Sequence, residues 1–291
     1  TIYIAISALM LSIPFTGLKA QHKHEFSTYA AGGLSTLKYK TTAGTQKNGT
    51  GSTLGLGYTY FVSPKIGLNT GIEFSFYNST MKYDDLSDKH TTNDINDNSF
   101  EYRTRVTGYK EQQRTSYLNI PLMVQFQTGG DKHQYYIAGG AKVGFVLNGT
   151  YKDKEGTMNN SGYYPEEDYE YTSQQFLGFG TFASKDKSES LDIKTSFLVS
   201  TETGIKWRLK EDLFLYTGVY FDYGLNNILD YNQSMPLVSY NKLNPSQPRI
   251  NSIFSSHYLS NGESINFTQK VTPMAVGIKI KIAFRIRKKY M

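Results

Sequence analysis

The chain has 291 residues, a hydrophobic share of 38%, a formal net charge of +6 and no cysteine. The lack of cysteine excludes disulfide frameworks and thiolate chemistry. Its 24 tyrosines and 26 glycines favour strands and turns, and aromatic side chains with a polar tip are typical of membrane interfaces. The composition therefore predicts an all-β chain and is compatible with export.

The first segment is an apolar run from Ile2 to Ile13, followed by Pro14, Gly17 and a small Ala20. A run of this length with a small residue at its end predicts a signal peptide over residues 1–20, with the mature domain at 21–291. A buried N-terminal helix is the alternative. Later segments show no apolar run long enough for a transmembrane helix.

Eight later segments alternate apolar and polar residues with the period of two that a β-strand requires. The clearest is the last, where Ile278, Ile280 and Ile282 point one way and Lys279 and Lys281 the other. Glycines in the middle of the first segment predict a possible bulge, and a proline in the fourth predicts a distortion. The predicted strands lie near residues 26–39, 54–62, 66–76, 118–126, 135–147, 191–209, 213–223 and 276–286.

The connections between these segments alternate between short and long. Those at 63–65, 127–133 and 210–212 are short, whereas those near 40–53, 81–104, 148–190 and 229–270 are long and polar. This alternation predicts an eight-stranded antiparallel up-and-down transmembrane β-barrel with short periplasmic turns and long external loops, in the outer membrane of a Gram-negative bacterium. A soluble lipocalin-like barrel would place its apolar residues inside instead.

Two short motifs carry a family resemblance. Residues 117–122 read Tyr-Leu-Asn-Ile-Pro-Leu, and the segment from Gly218 to Gly224 continues as Leu225, Asn226 and Asn227. These segments resemble the PorT-like outer-membrane β-barrel proteins. The resemblance implies an eight-stranded barrel in the outer membrane, with a role in protein secretion for a few members, and it carries over no catalytic residues.

Charged residues of both signs fall on the face opposite the apolar one, which is the lumen of a barrel. Because an eight-stranded barrel is just wide enough for its side chains to fill, we expect these residues to form an ion-pair plug. A narrow ion path is the alternative. The predicted lumen charges are Glu73, Lys142, Asp192, Lys194, Glu202, Lys206, Asp222, Lys279, Lys281 and Arg285.

Motifs for metal binding or catalysis are incomplete. Asp94, Asn96 and Asn98 have the opening spacing of a calcium loop, but Ser99 replaces the glycine and Arg105 replaces the bidentate glutamate. Ser255, Ser256 and His257 lack a placed acid and an oxyanion hole. We therefore predict no metal, no cofactor and no catalytic residue, with a membrane enzyme acting at the barrel rim as the third choice of function.

The long connections are the predicted binding regions. Residues 148–190 hold eight acidic and four basic side chains, so this face would repel nucleic acid. We predict a non-enzymatic outer-membrane anchor, in contact with lipid, that binds a protein or glycan through its loops or periplasmic face, as in a secretion or surface complex. The alternative is a small-molecule pore or hydrophobe conduit. The candidate loop contacts, chosen because tyrosine suits recognition surfaces, are Tyr163, Tyr164, Tyr169, Tyr171, Tyr240 and Tyr258.

Overall fold

The computed structural model describes residues 24–42, 44–184, 186–230, 235–260 and 263–286, so the predicted signal peptide lies outside the described residues. A single 3-10 turn, Gln175–Leu177, interrupts the strands of this part of the chain. No helix in it is long and apolar enough to cross a membrane. The strands are β1 His24–Thr41, β2 Thr45–Asn48, β3 Thr50–Ser63, β4 Ile66–Asn93, β5 Ser99–Gln127, β6 His133–Tyr164, β7 Tyr169–Tyr171, β8 Gly180–Ala183, β9 Ser188–Ser190, β10 Ser196–Lys210, β11 Leu213–Gly224, β12 Met235–Pro236, β13 Val238–Ser239, β14 Arg249–Ile250, β15 Ser256–Ser260, β16 Glu263–Asn266 and β17 Thr268–Ile286.

The main sheet closes on itself. Its long strands pair antiparallel in the order β10, β11, β17, β1, β3, β4, β5 and β6, and β6 pairs again with β10. The short strands β2, β7, β8 and β9 attach to β4 and β6, which gives the sheet twelve strands in the described residues. The predicted all-β antiparallel class is confirmed. The additional strands arise because segments predicted as loops also pair with the sheet.

The outer wall of this ring is apolar along a continuous belt. On β17, Ile278 is 65% and Ile280 50% exposed, while Lys279 is 7% and Lys281 6% exposed. The alternation of β17 therefore places its isoleucines outside and its lysines inside, as predicted. Equivalent outward residues on the neighbouring strands, such as Leu56, Leu122 and Ile137, are exposed too. We call this surface the apolar belt; it matches the lipid-facing band of a transmembrane barrel.

Beyond the belt, β4, β5 and β6 continue as a long extension in which the two faces exchange character. On β4 the outward residues change from Phe74 and Phe76 to Asn78, Thr80 and Lys82, whereas the buried residues change from Glu73 and Ser75 to Tyr77, Met81 and Tyr83. The extension thus has a polar surface and an apolar interior. The prediction of a loop over 81–104 is wrong, because β4 and β5 pair as far as Asn93 and Ser99 and only residues 94–98 form the turn.

Several other details differ from the prediction. The register of β1 runs without a break through Gly32 and Gly33, and its irregularity lies between Tyr39 and Thr41. Pro121 causes no register shift, since Thr70 pairs with Leu122 and Glu73 with Asn119 on either side of it. The marked bulge of β5 is at residues 107–110 instead, where Gly108 has a φ of 61°, a conformation that glycine adopts without strain.

The first and last described residues, His24 and Ile286, lie with the short turns at one end of the ring, which we call the short-turn end. The connection between β11 and β17, residues 225–267, folds back over the opposite end and carries β12 to β16 in two small sheets. Its Leu237, Val238, Ile253 and Phe254 are buried in the same apolar cluster as the interior of the extension. The mouth of the ring is therefore covered by the chain itself.

Candidate functional sites in the barrel interior and at the distal tip

The centre of the ring holds a network of buried ion pairs. The Lys142 ammonium on β6 lies 2.8 Å from a Glu73 carboxylate oxygen on β4 and 2.9 Å from Asp222 on β11. Lys279 on β17 lies 2.8 Å from Glu202 on β10. These contacts cross the lumen between strands that are not neighbours. A buried charge is tolerated only when it is paired in this way, so each carboxylate depends on a cation from another strand.

A second network lies closer to the short-turn end. Glu25 accepts a hydrogen bond from Lys206 at 2.8 Å and another from the Tyr216 hydroxyl, and Arg285 approaches it at 3.4 Å. The Lys206 ammonium also lies 4.4 Å from the centre of the Phe214 ring, a distance at which the ring quadrupole attracts a cation. Aromatic and charged side chains together therefore fill this end of the lumen.

The structure brings eight of the ten predicted lumen charges into these networks. Asp192 and Lys194 are the exceptions. Because β10 begins at Ser196 rather than near residue 191, both are exposed, and Lys194 pairs with Asp230 outside the ring. Sequence reasoning missed Glu25, although the outward-facing Phe26 beside it was a signal that Glu25 points inward.

One small cavity lies inside the ring. The cavity beside Tyr29, Glu73 and Lys279 measures about 20 Å³, which is room for about one water molecule. Tyr29 donates a hydrogen bond to Glu73 at 3.0 Å, and Tyr136 donates one to Glu202 at 2.8 Å. The tyrosines thus occupy the volume that the ion pairs leave.

A buried carboxylate holds the covering connection in place. Glu111, on β5 within the extension, is fully buried and accepts hydrogen bonds from the Ser252 hydroxyl at 2.6 Å and the Ile253 amide at 3.0 Å. Gln113 donates a third at 2.8 Å. Desolvation outweighs these bonds and raises the pKa of Glu111 to about 7. Sequence reasoning missed this residue because it was not assigned to a strand.

The far end of the extension is assembled from three separate connections, residues 94–98, 165–178 and 240–248, which we call the distal tip. Lys242 contacts Asp97, and Tyr164 donates a hydrogen bond to Asp94 at 3.4 Å. Gly178 lies so close to Pro245 that an added Cβ would be 2.8 Å from its carbonyl oxygen. These contacts join the three connections into one surface.

Large apolar side chains project from each connection of the distal tip. Ile95 is 62%, Phe176 72% and Leu243 86% exposed. They lie beyond the polar outer wall of the extension and are therefore separated from the apolar belt. Exposed apolar groups gathered at one place mark interaction sites on soluble surfaces.

The six candidate loop tyrosines divide into two groups. Four of them, Tyr164, Tyr171, Tyr240 and Tyr258, pack against the buried cluster of the extension; Tyr240, for example, lies 5.0 Å from the Phe100 ring centre. Packing leaves these four only part of their surface for a partner. Tyr169 is 55% exposed, and the Tyr163 ring lies under Arg103 at 4.6 Å.

Comparison with known proteins identifies the family. A family model described as an outer membrane protein beta-barrel domain matches residues 19–230. The chain belongs to this outer-membrane β-barrel family. Its location is accordingly the outer membrane of the Gram-negative envelope, as predicted. No curated protein matches the chain.

Among solved structures, this outer-membrane β-barrel is similar to neisserial surface protein A, with 8% identity, a TM-score of 0.35 and coverage of 91% of this chain and 99% of that one. It is similar to AlkL in DMPC bilayers, with 9% identity, a TM-score of 0.36 and coverage of 96% and 98%. OprG from Pseudomonas aeruginosa gives 12% identity, a TM-score of 0.36 and coverage of 93% and 100%.

The motifs weighed for metal binding or catalysis have structural partners in this barrel. Asp94 accepts hydrogen bonds from the backbone amides of Asn96 and Asn98, both at 2.9 Å, which closes the β4–β5 turn. Ser255 and Ser256 both donate to the Ser252 carbonyl. No group of three or more histidine or acidic side chains arranged for a metal ion is found among the described residues.

Proposed function

We propose that this outer-membrane barrel is a non-conducting, non-enzymatic anchor that binds a protein partner through its distal tip. The observation that carries the proposal is the set of exposed apolar side chains, Ile95, Phe176 and Leu243, on the folded extension. Interfaces concentrate their binding energy in such apolar and aromatic groups. Contacts hold the three connections of the tip together. The backbone of the tip therefore loses little conformational freedom when a partner binds.

The lumen supports the anchor role over the alternative of a small-molecule pore. Ion pairs and tyrosines occupy the ring, and the 225–267 connection covers its mouth. We also propose that the chain belongs with the PorT-like barrels within its family, on the segments 117–122 and 218–227, which makes a secretion or surface complex the setting for the partner.

The test of tip binding is a triple variant, Ile95→Asp with Phe176→Asp and Leu243→Asp. Native membranes are solubilised in mild detergent after chemical crosslinking, and the proteins attached to the barrel are identified. We expect the triple variant to lose its partner. The matched control, Lys65→Asp with Lys132→Asp, changes exposed residues at the short-turn end and should keep it. Equal retention of the protein partner in both variants would contradict tip binding.

Two further measurements test the anchor and its orientation. Planar bilayers containing the purified barrel should show no steady conductance, and a steady current would favour the pore. An impermeant thiol reagent on intact cells should label Ser246→Cys in the distal tip and not Glu211→Cys in a short turn, since short turns are periplasmic in this class. Labelling of Glu211→Cys alone would reverse the orientation and remove the tip from the cell surface.

A further inference from the structure

A groove of about 710 Å³ crosses the outer wall of the barrel where the extension begins. It runs over β2, β3, β4, β5 and β6, and apart from the buried Thr115 its lining residues lie on the outer side of the wall. Apart from Gly49 and Phe76, its lining residues are of polar types. The side chains that the argument uses are Asn48, Phe76, Asn78, Gln112, Arg114 and Asn148.

The groove starts at the edge of the apolar belt. Phe76 is 43% exposed and is the last apolar outward residue of β4 before Asn78. In the sheet, Phe76 pairs with Ser116, and Asn78 pairs with Arg114. Arg114 therefore lies two residues, about 7 Å along the strand, above the belt. That height is the headgroup layer of a bilayer whose hydrocarbon ends at the belt.

The charge of the groove is positive and largely uncompensated. Arg114 is exposed and donates a hydrogen bond to the Gln112 side-chain oxygen at 3.2 Å. Within the described part of the chain, no carboxylate lies within 4 Å of it. Two acids of the extension that lie outside the groove lining are paired with other cations, Glu155 with Lys110 and Asp186 with Lys152. A guanidinium without a carboxylate partner suits a phosphate group, which it can bind through two parallel hydrogen bonds.

We propose that this groove binds the phosphate-bearing headgroup of a lipid in the outer leaflet. Arg114 contacts the phosphate, the amides of Asn48, Asn78 and Asn148 contact the polar remainder of the headgroup, and Phe76 contacts the first part of an acyl chain. The continuity of the groove with the apolar belt is the reason to name a lipid rather than a soluble phosphate. A soluble anion would gain nothing from Phe76.

The test compares two arginines of the same strand and face. Arg114→Gln removes the charge in the groove, whereas Arg105→Gln changes an outward arginine about 30 Å farther along β5 that already pairs with Asp85. The folded full-length barrel in detergent is titrated with lipid A, and bound lipid is counted by native mass spectrometry. We expect Arg114→Gln to weaken binding about tenfold or more, Arg114→Lys to retain part of it, and Arg105→Gln to stay within about twofold of wild type.

Two further binding measurements show whether the bound phosphate belongs to a lipid or to a soluble anion. Dephosphorylated lipid A should bind as weakly to wild type as lipid A binds to Arg114→Gln. Inorganic phosphate at the same concentration should not displace lipid A. Unchanged affinity in Arg114→Gln would overturn the site, and full displacement by inorganic phosphate would overturn the lipid assignment. Heat-modifiable gel mobility confirms that each variant is folded, and none of these outcomes depends on the distal tip.

Discussion

The membrane ring and the extension above it share strands, but their apolar side chains lie on opposite faces. They face outward in the ring and inward in the extension. In the ring, Phe74 on β4 faces outward and Glu73 faces inward; in the extension, Lys82 faces outward and Tyr83 inward. On β4 the alternation continues unchanged from Glu73 to Tyr83, because the period of a strand is set by its pleat. The exchange shows that the side chains follow the solvent on each side of the wall, with hydrocarbon outside the ring and water outside the extension.

The largest expected effect is on the interior of the extension. Phe100 is fully buried, with its ring centre 4.9 Å from Tyr164 and 5.6 Å from Phe179. Phe100→Ala should destabilise the extension by about 3 to 5 kcal/mol and expose it to protease. Phe126→Ala changes a belt residue of the same strand that is 54% exposed, and it should leave the extension resistant. Equal cleavage of both variants would remove the distinction between the two regions.

The next largest effect is expected for the buried charges inside the ring. Lys142→Met leaves Glu73 and Asp222 buried without their shared cation, so we expect a loss of about 3 to 5 kcal/mol. The control is Lys194→Met, which breaks an exposed pair with Asp230 and should cost about 1 kcal/mol or less. Urea unfolding in phosphatidylcholine vesicles measures both free energies. If both variants lose only a small unfolding free energy, water must enter the lumen and solvate the carboxylates.

Two adjacent residues of β17 test which face of the barrel wall meets the bilayer and which meets the lumen. Ile280→Arg places a cation on the apolar belt and should destabilise the barrel by about 2 to 4 kcal/mol if the residue lies near the bilayer midplane. Lys281→Gln should cost less, because Glu202 keeps its 2.8 Å contact with Lys279. Vesicle insertion, followed by gel mobility, reports both. Equal tolerance would show that the two faces are assigned wrongly.

The smallest expected effect is a pH dependence confined to the extension. Burial raises the pKa of Glu111 from its ordinary 4.5 to about 7, so the proton binds more tightly in the folded state. Its stabilising contribution is complete below about pH 4.5 and is lost as the pH rises through 7, by about 3 kcal/mol at most. Tyr109 and Asp153 lie beside Glu111, and the Asp153 pKa is raised as well.

Urea-induced opening of the extension, followed by tyrosine fluorescence at pH 5 and pH 8, measures this dependence. Wild type should open at lower urea at pH 8. Glu111→Gln, which keeps the hydrogen-bonding shape without the charge, should show a clearly smaller difference between the two pH values. If the variant shows the same difference as wild type, the dependence belongs to Asp153 or another group.

The sequence alone was sufficient for the class of fold, the belt and most of the lumen charges. Alternation is a local property, so Ile280 and Lys281 could be assigned to opposite faces without knowledge of their neighbours. The same reasoning failed at Asp192 and Lys194. The alternating pattern there begins several residues before β10 does. Nothing in the local sequence marks Ser196 as the first residue that pairs with β6.

Only the tertiary structure decided what lies above the belt. The segments 81–104 and 148–164 are polar on one face and were predicted as loops, yet they pair as strands around an apolar interior that also includes Leu237 and Phe254 from the 225–267 connection. The packing of that connection joins residues more than a hundred positions apart, as where the Leu237 amide donates a hydrogen bond to Asp88. Glu111 and Ser252 meet for the same reason. The apolar interior of the extension becomes visible only when all of its strands are assembled, since no single segment buries its aromatic face alone.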